Sequence, residues 1–204
     1  TALEWRFHKE RNGKSYLRSA GRAIFGIDVR IVDDTMSECA LGDVGEIAVR
    51  SPGNMLGYWN QPELTKRTIV DGWVRTGDAG YMDEEGFVYL VDRVKDMIVS
   101  GGENVYSAEV ENALSSHAAI AECAVIGVPD EKWGERVHAI VRLKPNARAS
   151  EAEIIDHCKR VVAGYKCPRS IEFRVEPLPL SGAGKILKTD LRAPYWAGRE
   201  RQIG

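Results

Sequence analysis

DRVKDMIVSGGENVYSAEVE, residues 92–111, is the stretch of this sequence that most constrains its fold. Its four charged residues ahead of the apolar run are Asp92, Arg93, Lys95 and Asp96. We predict a strand that ends at Met97–Val99, a turn at Gly101-Gly102, and an acid-rich helix that this turn opens. A stable core does not require charges in this order. The segment therefore indicates a functional junction.

The length and composition exclude several classes of protein. At 204 residues the chain exceeds the commonest domain size, so we expect one large or two small domains. A hydrophobic fraction of 44% and a formal charge of -2 are typical of a globular protein. This balance gives no support for a nucleic-acid partner, whose binding needs a concentrated basic surface. The sequence has no run of 18 apolar residues, so we expect no transmembrane segment.

The N-terminus and the cysteines bear on location. Residues 1–6 lack an apolar core and a cleavage site, so we expect that they do not form a signal peptide. The sequence also lacks an initiator Met, and we therefore expect a piece of a longer protein. The cysteines and histidines form no metal-ligand or nucleophile motif. They are Cys39, Cys123, Cys158, Cys167, His8, His117, His138 and His157. We expect buried structural thiols in a reducing cytoplasm and no metal site.

Residues 21–94 have the pattern of an all-β region with short turns. The alternation at Val29–Val32 and Glu46–Arg50 predicts half-buried strands. The turn at 83–86 predicts a hairpin between strands near Tyr81 and Val88. One short helix is expected from Pro62, with Asn60 as its cap.

From Asp96 onward, the pattern changes to alternating strands and helices. We predict a helix capped by Ser107 and a second that follows a capping box at Ser150–Glu153. The second helix would bury one face and stop at Ala163-Gly164. The residues of that face are Ile154, Ile155, Cys158, Val161 and Val162. The predicted strands are Ala121–Ile126, Val137–Leu143 and Ile171–Val175. The short, charged boundary at Arg93–Asp96 suits a hinge.

Asp78 and Arg93 each admit two interpretations. A carboxylate in the tight Thr-Gly-Asp turn can accept hydrogen bonds from both hydroxyls of a ribose. Gly-Asp pairs also close ordinary β-turns. Arg93 offers a planar fork of donors for ribose or phosphate oxygens, whereas a surface arginine is ordinarily a solvated ion-pair partner worth under about 1 kcal/mol.

Lys185 follows the glycine-rich loop Gly182-Ala183-Gly184, which can place a cation in the site of another domain. A P-loop is excluded because Walker A needs Gly at position 179 and Ser or Thr at 186, where Pro179 and Ile186 stand. The alternative is an ordinary exposed lysine. The loop Ser100–Glu103 is in isolation a common Gly-Gly turn, although glycine permits close approach of another molecule.

Three motifs in this order resemble those of the adenylate-forming enzymes: acyl-CoA synthetases, adenylation domains of peptide synthetases, and luciferases. They are GWVRTGD at 72–78, the segment at 92–111, and PLSGAGKILKTDLR at 179–192. GYWNQPE at 57–63, VPDEKWGE at 128–135 and YKCP at 165–168 also resemble acyl-CoA synthetases. The resemblance covers residues 20–192 and favours fatty- or aryl-acyl-CoA ligases. Ser107 departs from it, because relatives usually have proline there.

This resemblance implies roles for the candidate residues at the first two motifs. Asp78 would hold the ATP ribose and Arg93 would bind the same nucleotide. Lys95 would be the hinge residue about which the C-terminal domain rotates.

The resemblance also implies roles for the glycine loops. Ser100 and Gly102 would contact the pantetheine of coenzyme A during thioester formation. Lys185 would be the catalytic lysine, which bridges the substrate carboxylate and the α-phosphate and neutralises the charge that develops there.

The fold that the resemblance implies is α+β in two domains. Residues 1–94 would form the small β-barrel-like end of the large adenylation domain. Residues 95–204 would form the compact, mobile α+β lid domain that carries the catalytic lysine. The family's phosphate-binding loop and acyl pocket are absent from this sequence. We therefore expect a fragment that is inactive alone and whose partner is the N-terminal part of the same enzyme.

The implied activity is that of an ATP-dependent acid–CoA ligase in fatty acid metabolism, located in the cytoplasm. A carboxylate and ATP would give an acyl-adenylate, and coenzyme A would then displace AMP. Mg²⁺ would arrive with ATP, because the phosphates need it. Two alternatives stay open: an adenylation domain that loads a carrier protein, and a non-catalytic module that kept the fold and binds a nucleotide or a partner protein. The identity of the acyl group stays open as well.

Overall fold

The computed structural model describes residues 1–10 and 13–199 of the chain. The chain forms two compact units, Thr1–Val94 and Lys95–Gly204. Strands dominate the first unit, and strands and helices share the second. The α+β class expected from the sequence is confirmed.

The first unit is built on a five-stranded antiparallel sheet. Its strands are β1 (Asp28–Val32), β2 (Gly45–Arg50), β3 (Ile69–Val70), β4 (Trp73–Met82) and β5 (Val88–Arg93). The order is β1-β2-β4, and β3 and β5 pair with opposite ends of β4. Bulges interrupt the register of β4 with β2 and with β5. Because bulges bend a strand and increase its twist, the sheet curls as the expected barrel-like end requires.

Apolar clusters cover this sheet on more than one side. Ile31, Ile47 and Val88 form one buried cluster, and Val32, Ala48 and Trp73 belong to another. Consecutive residues of β2 are therefore buried together. The strands were predicted correctly, but the half-buried pattern predicted for β2 is wrong.

The predictions for the turns and the short helix of the first unit are confirmed in part. The hairpin of β4 and β5 is confirmed, with Met82 opposite Val88. The short helix α1 runs over Pro62–Thr68, longer than predicted. Its N-cap is Gln61, without a side-chain cap, so the prediction that Asn60 caps it is wrong. Asn60 instead has φ 53°, a left-handed turn conformation that asparagine tolerates.

Up to residue 199, where the described part of the chain ends, the second unit combines a five-stranded sheet with three α-helices. In chain order its elements are β6 (Ile98–Ser100), β7 (Glu103–Val105), α2 (Ser107–Ser115), β8 (Ile120–Asp130), β9 (Gly134–Leu143), α3 (Glu151–Lys159), β10 (Ser170–Arg174) and α4 (Lys188–Arg192). The central strand β9 pairs with β8 on one side and with β6 and β10 on the other. The β9–β10 pairing is parallel, and the other pairings seen among the described strands of this sheet are antiparallel.

Both faces of this second sheet are packed. Residues of α2 and α3, among them Leu114 and Ile154, join one buried cluster with β9 residues such as Val141. Leu178 and Leu191 join a second cluster with residues of β8 and β9. The segment that contains Lys185 therefore connects Leu178 and Leu191, which are both anchored in this second cluster.

Two sequence predictions for the start of this unit are wrong. Gly101-Gly102 does not open a helix but forms the two-residue turn of the β6–β7 hairpin, with Ser100 opposite Glu103. Ser107 does not cap α2, because the N-cap is Tyr106 and Ser107 is the first helical residue. Its buried hydroxyl accepts a hydrogen bond from Lys188 Nζ at 2.7 Å, so it serves a distant residue instead of its own helix.

The helix α3 shows what the sequence predicts well. The capping box of Ser150 and Glu153 is confirmed, with both hydrogen bonds present. The helix ends at Lys159, earlier than predicted, so Val161 lies beyond it and is exposed, not on the buried face.

Within the described residues, no helix is long and apolar enough to cross a membrane.

Candidate functional site

Asp78 does not lie in the tight turn expected from the sequence, because Thr76, Gly77 and Asp78 form a bulge inside strand β4. Hydrogen bonds within β4 and to β2 hold this bulge. Thr76 Oγ1 donates to the carbonyl of Ile47 at 2.7 Å and accepts from the Asp78 amide at 3.1 Å. Gly77 has φ 74°, which glycine adopts without strain. The carboxylate of Asp78 is thus carried on a rigid part of the sheet.

Glu46 on β2 supports the bulge at Thr76–Asp78, a role that was not predicted from the sequence. Its carboxylate accepts from the Gly77 amide at 2.9 Å and from Arg75 Nε at 2.7 Å. The residue is only 8% exposed. An acidic residue inside an otherwise apolar strand was the signal in the sequence, since a buried carboxylate needs partners.

We expect Glu46→Gln to lower the free energy of unfolding of the first unit by about 2 kcal/mol, because it removes a charge-assisted hydrogen bond and leaves Arg75 unpaired. Urea denaturation of the 204-residue chain measures this loss. Glu38→Gln is the matched control, since Glu38 pairs with Arg30 at 3.6 Å on an exposed surface and should cost at most about 1 kcal/mol. Equal losses in the two variants would contradict the role of Glu46.

The structure brings Asp78 and Arg93 together. They face each other on β4 and β5, and Arg93 Nε lies 2.8 Å from Asp78 Oδ1. Their side chains are 33% and 51% exposed, so the ion pair contributes little to stability. Ligand hydroxyls can therefore join or replace this pair at small cost.

A cavity of about 220 Å³ lies beside Asp78. Apolar side chains of three strands line much of it, including Ile47, Val49, Val88 and Leu90. Thr76 and Asp78 supply polar groups at the same cavity. An apolar wall with a carboxylate beside it suits a ligand that has one flat apolar part and adjacent hydroxyls.

A larger groove of about 850 Å³ in the same unit contains none of the candidate residues. Trp73 lines this groove, and the Cζ atoms of Arg30 and Arg50 lie 4.4 and 4.7 Å from its ring centroid. Trp73 is buried and packs with Val32 and Ala48.

The β6–β7 hairpin presents Gly102 to solvent and hides Ser100. Both turn glycines have positive φ, 63° at Gly101 and 84° at Gly102, as a type I′ turn requires. A β-carbon on Gly101 would lie 2.5 Å from the ring of Trp133, whereas one on Gly102 would meet nothing within 4 Å. Ser100 is buried and Gly102 is exposed, so of these two candidate residues Gly102 is the one that another molecule can approach.

Lys185 lies on a closed loop between Leu178 and α4. The Ser181 amide donates to the carbonyl of Lys185 at 2.7 Å, and the Gly184 amide donates to Ser181 at 2.8 Å. The Lys185 side chain is exposed and forms no salt bridge with any residue that the structure describes. The backbone is thus ordered while the ammonium group is available.

Lys188, three residues later, has the opposite environment. Its Nζ lies 2.7 Å from Glu111 Oε1 and donates to Ser107 Oγ, and its side chain is 13% exposed. Glu111 Oε1 also accepts from the Val125 amide. Lys188 therefore anchors the start of α4 to α2.

We expect Lys188→Met to lower the free energy of unfolding of the second unit by about 3 kcal/mol, because it leaves a half-buried carboxylate without its cation. Lys185→Met is the matched control and should change stability by less than about 0.5 kcal/mol, since its side chain is exposed. Thermal or urea denaturation of the chain compares the two. Equal stability of both variants would contradict the anchoring role.

Lys95 is exposed and lies in the 3-10 turn Val94–Asp96 at the boundary of the units. Asp78 and Arg93 thus belong to the first unit, and Gly102 and Lys185 lie on separate loops of the second.

The remaining titratable groups are structural. Burial lowers the pKa of His138, which hydrogen-bonds Ser170 and Tyr195. Burial and the neighbouring Glu172 raise the pKa of Tyr195 to about 12. The cysteines are free, and burial raises the pKa of the Cys158 thiol to about 12, so it stays protonated and unreactive. Within residues 1–10 and 13–199, no cluster of metal-ligating side chains is present.

Comparison with known proteins gives consistent matches in both units. The family model of the AMP-binding enzyme matches residues 5–59, and that of the AMP-binding enzyme C-terminal domain matches residues 109–185. A long-chain-fatty-acid–CoA ligase of Yersinia pestis is 47% identical over 88% of this chain and 32% of its own length. A fatty acid–[acyl-carrier-protein] ligase of Streptomyces coeruleorubidus is 41% identical over 94% of this chain and 37% of its own length.

A solved structure is similar as well. The o-succinylbenzoate CoA synthetase of Bacillus subtilis, in complex with its acyl-adenylate intermediate, superimposes with a TM-score of 0.79 at 38% identity. The match covers 92% of this chain and 37% of that one. The chain spans about a third of the length of the relatives it matches.

Proposed function

Because the chain belongs to the family of AMP-binding enzymes, we propose that it is the C-terminal third of an ATP-dependent acid–CoA ligase. The whole enzyme would convert a carboxylate and ATP into an acyl-adenylate and pyrophosphate. Coenzyme A would then displace AMP and give the acyl-CoA. The observation that carries this proposal is that the match to the C-terminal domain of AMP-binding enzymes ends on Lys185, the exposed cation of an ordered loop.

The first unit would supply nucleotide contacts. Asp78 has carboxylate oxygens that suit the two ribose hydroxyls of ATP, and Arg93, whose Nε lies 2.8 Å from Asp78 Oδ1, would bind the same nucleotide. The apolar cavity beside Asp78 suits the flat part of the nucleotide. Mg²⁺ would be bound by the phosphates of ATP.

The second unit would supply Lys185 to adenylation and the Gly102 turn to thioester formation. An ammonium group near the carboxylate and α-phosphate offsets the negative charge of the transition state. The open side of Gly102 leaves room for the pantetheine arm of coenzyme A, and the buried Ser100 would support the turn from behind. Lys95 would let the second unit, as the lid domain, change its orientation between the two steps.

We infer a fatty acid or a related acid as the substrate and the cytoplasm as the location. The support for the substrate is the fatty-acid ligases among the relatives, one named for CoA and one for an acyl-carrier protein. The second of these favours a carrier protein as the alternative acceptor. The acceptor preference is measured by supplying the longer protein with coenzyme A and with a phosphopantetheinylated carrier protein in the same assay and comparing the rates of thioester formation.

A non-catalytic module is the remaining alternative. Such a module has no requirement for a nucleotide-binding carboxylate or for an exposed lysine at the position of the catalytic one. This chain has both Asp78, on strand β4, and Lys185, on a loop closed by hydrogen bonds. Their joint presence favours an enzyme.

We expect the isolated 204-residue chain to release no pyrophosphate from ATP with any acid in a panel of fatty and aryl acids. The longer protein that carries it should release pyrophosphate and form acyl-CoA. The physical reason is that the phosphate-binding loop and acyl pocket of the family are absent from the chain. Turnover by the isolated chain at a normal ligase rate would contradict the proposal, and so would inactivity of the longer protein with every acid.

A further inference from the structure

The helix α4 ends in a buried arginine whose role the proposed function does not explain. Arg192 is 9% exposed and follows Leu191, which packs in the apolar cluster between α4 and the second sheet. A guanidinium group keeps its charge when buried, so it requires acceptors. The acceptors that Arg192 contacts show which segment of the chain it holds in place.

Arg192 binds the segment at which the second unit begins. Its Nη1 donates to the carbonyl oxygen of Lys95 at 3.1 Å, and its Nη2 lies 3.5 Å from Asp96 Oδ1. The side chains of Arg192 and Asp96 are 11% and 12% exposed. Because these contacts are charge-assisted and sheltered from water, they fix the peptide that joins Lys95 to Asp96 on α4.

The residues on either side of the junction are fixed within their own units. Arg93 is the last residue of β5, and its backbone pairs in register with Asp78 on β4 in the first unit. Ile98 is fully buried at the start of β6 in the second unit. Val94 and Lys95 are the residues between the end of β5 and the peptide that Arg192 holds.

We propose that Arg192 is a positioning residue that sets the C-terminal limit of the hinge. Reorientation of the second unit is then confined to the backbone torsions of Val94 and Lys95. Fewer free torsions leave fewer unproductive orientations, so each of the two catalytic orientations is more populated. This inference rests on the proposed function, in which Lys95 is the hinge.

The first test uses trypsin on the 204-residue chain, because trypsin cleaves the same Lys95–Asp96 peptide that Arg192 holds. We expect Arg192→Met to accelerate cleavage after Lys95 about tenfold, the factor that loss of one charge-assisted hydrogen bond allows. Arg192→Lys should give an intermediate rate. Cleavage is carried out under native conditions. Its rate is measured by mass spectrometry as the rate at which the fragment that begins at Asp96 appears.

The matched control is Arg142→Met. Arg142 forms a two-bond ion pair with Glu122 in the same unit, at 2.7 and 3.1 Å, and has no contact with the junction in the described residues. We expect its loss to leave cleavage after Lys95 unchanged. Equal rates in wild type and Arg192→Met would overturn the proposal. If Arg192→Met does not fold, Asp96→Asn replaces it, with an expected rise of about threefold, and no rise would overturn the proposal as well.

The second test measures the two half-reactions in the longer protein that carries this chain. We expect Arg192→Met to slow adenylation and thioester formation by similar factors of about tenfold, because both need the confined hinge. Faster cleavage with both half-reactions unchanged would overturn the positioning role. If Arg192→Met accelerates cleavage after Lys95 but the wild-type longer protein has no ligase activity, the proposed function is refuted. The anchoring of the Lys95–Asp96 peptide by Arg192 then still holds.

Discussion

Lys185→Ala in the longer protein should reduce the rate of acyl-adenylate formation by about 10²–10³-fold, as the loss of one charge-stabilising donor does. The Lys185 side chain is exposed on the hydrogen-bonded loop at 179–187, as the proposed catalytic role requires. In the proposed reaction, negative charge builds on the carboxylate and α-phosphate only during adenylation. Pyrophosphate release in a single-turnover assay measures the rate.

The same variant should convert preformed acyl-adenylate and coenzyme A into thioester at nearly the wild-type rate. In the proposed mechanism the lid domain has by then rotated and carried Lys185 away from the reacting atoms, so its charge would contribute nothing. This selectivity distinguishes a catalytic lysine from one that only stabilises the domain.

Two controls support this interpretation. Lys144→Ala removes an exposed lysine from the turn after β9 and should leave both rates unchanged. Lys188→Met should lower the stability of the second unit, as argued above, while Lys185→Ala should not. An equal loss in both half-reactions for Lys185→Ala would contradict the proposed division of labour.

Local sequence rules predicted the elements whose partners are close in the chain. The capping box of Ser150 and Glu153 was found because its two hydrogen bonds join residues three positions apart. The β4–β5 hairpin was found because a polar turn separates two apolar runs. Such signals lie within a short window, so no knowledge of the tertiary structure is needed.

Elements whose partners are distant in the chain were missed. Ser107 has the residue type of a cap, but its hydroxyl serves Lys188, 81 positions away. Glu46 supports Gly77, which is 31 positions away. The Gly101-Gly102 turn was predicted to open a helix because the short strand β7 gives no alternation strong enough to reveal a hairpin. Tertiary contacts decide each of these cases.

The candidate site was accessible from the sequence only through its motifs. Asp78 and Arg93 are 15 positions apart, and their ion pair follows from the register of β4 and β5, which no local pattern specifies. The contact of Arg192 with Lys95 joins residues 97 positions apart. Motif resemblance can mark such residues, but their mutual geometry requires the folded chain.

Gly102→Leu should slow thioester formation by about a hundredfold while sparing adenylation, the reverse of Lys185→Ala. A leucine side chain at this turn would extend into the open space beside Gly102, where the pantetheine arm would approach. The measurement is the rate of acyl-CoA formation from preformed acyl-adenylate in the longer protein. Pyrophosphate release in the first half-reaction is measured alongside it.

Backbone strain at Gly102 has to be separated from steric blockage, because its φ of 84° is unfavourable for any L-residue by about 1–2 kcal/mol. Gly102→Ala imposes the same backbone strain with a single methyl group, so it is the matched control. If blockage is the cause, thioester formation should be far slower in Gly102→Leu than in Gly102→Ala, with equal adenylation in both. If both substitutions slow thioester formation equally, strain in the β6–β7 hairpin is the cause. If Gly102→Leu and Lys185→Ala each slow both half-reactions to the same extent, the lid domain does not alternate between the two steps.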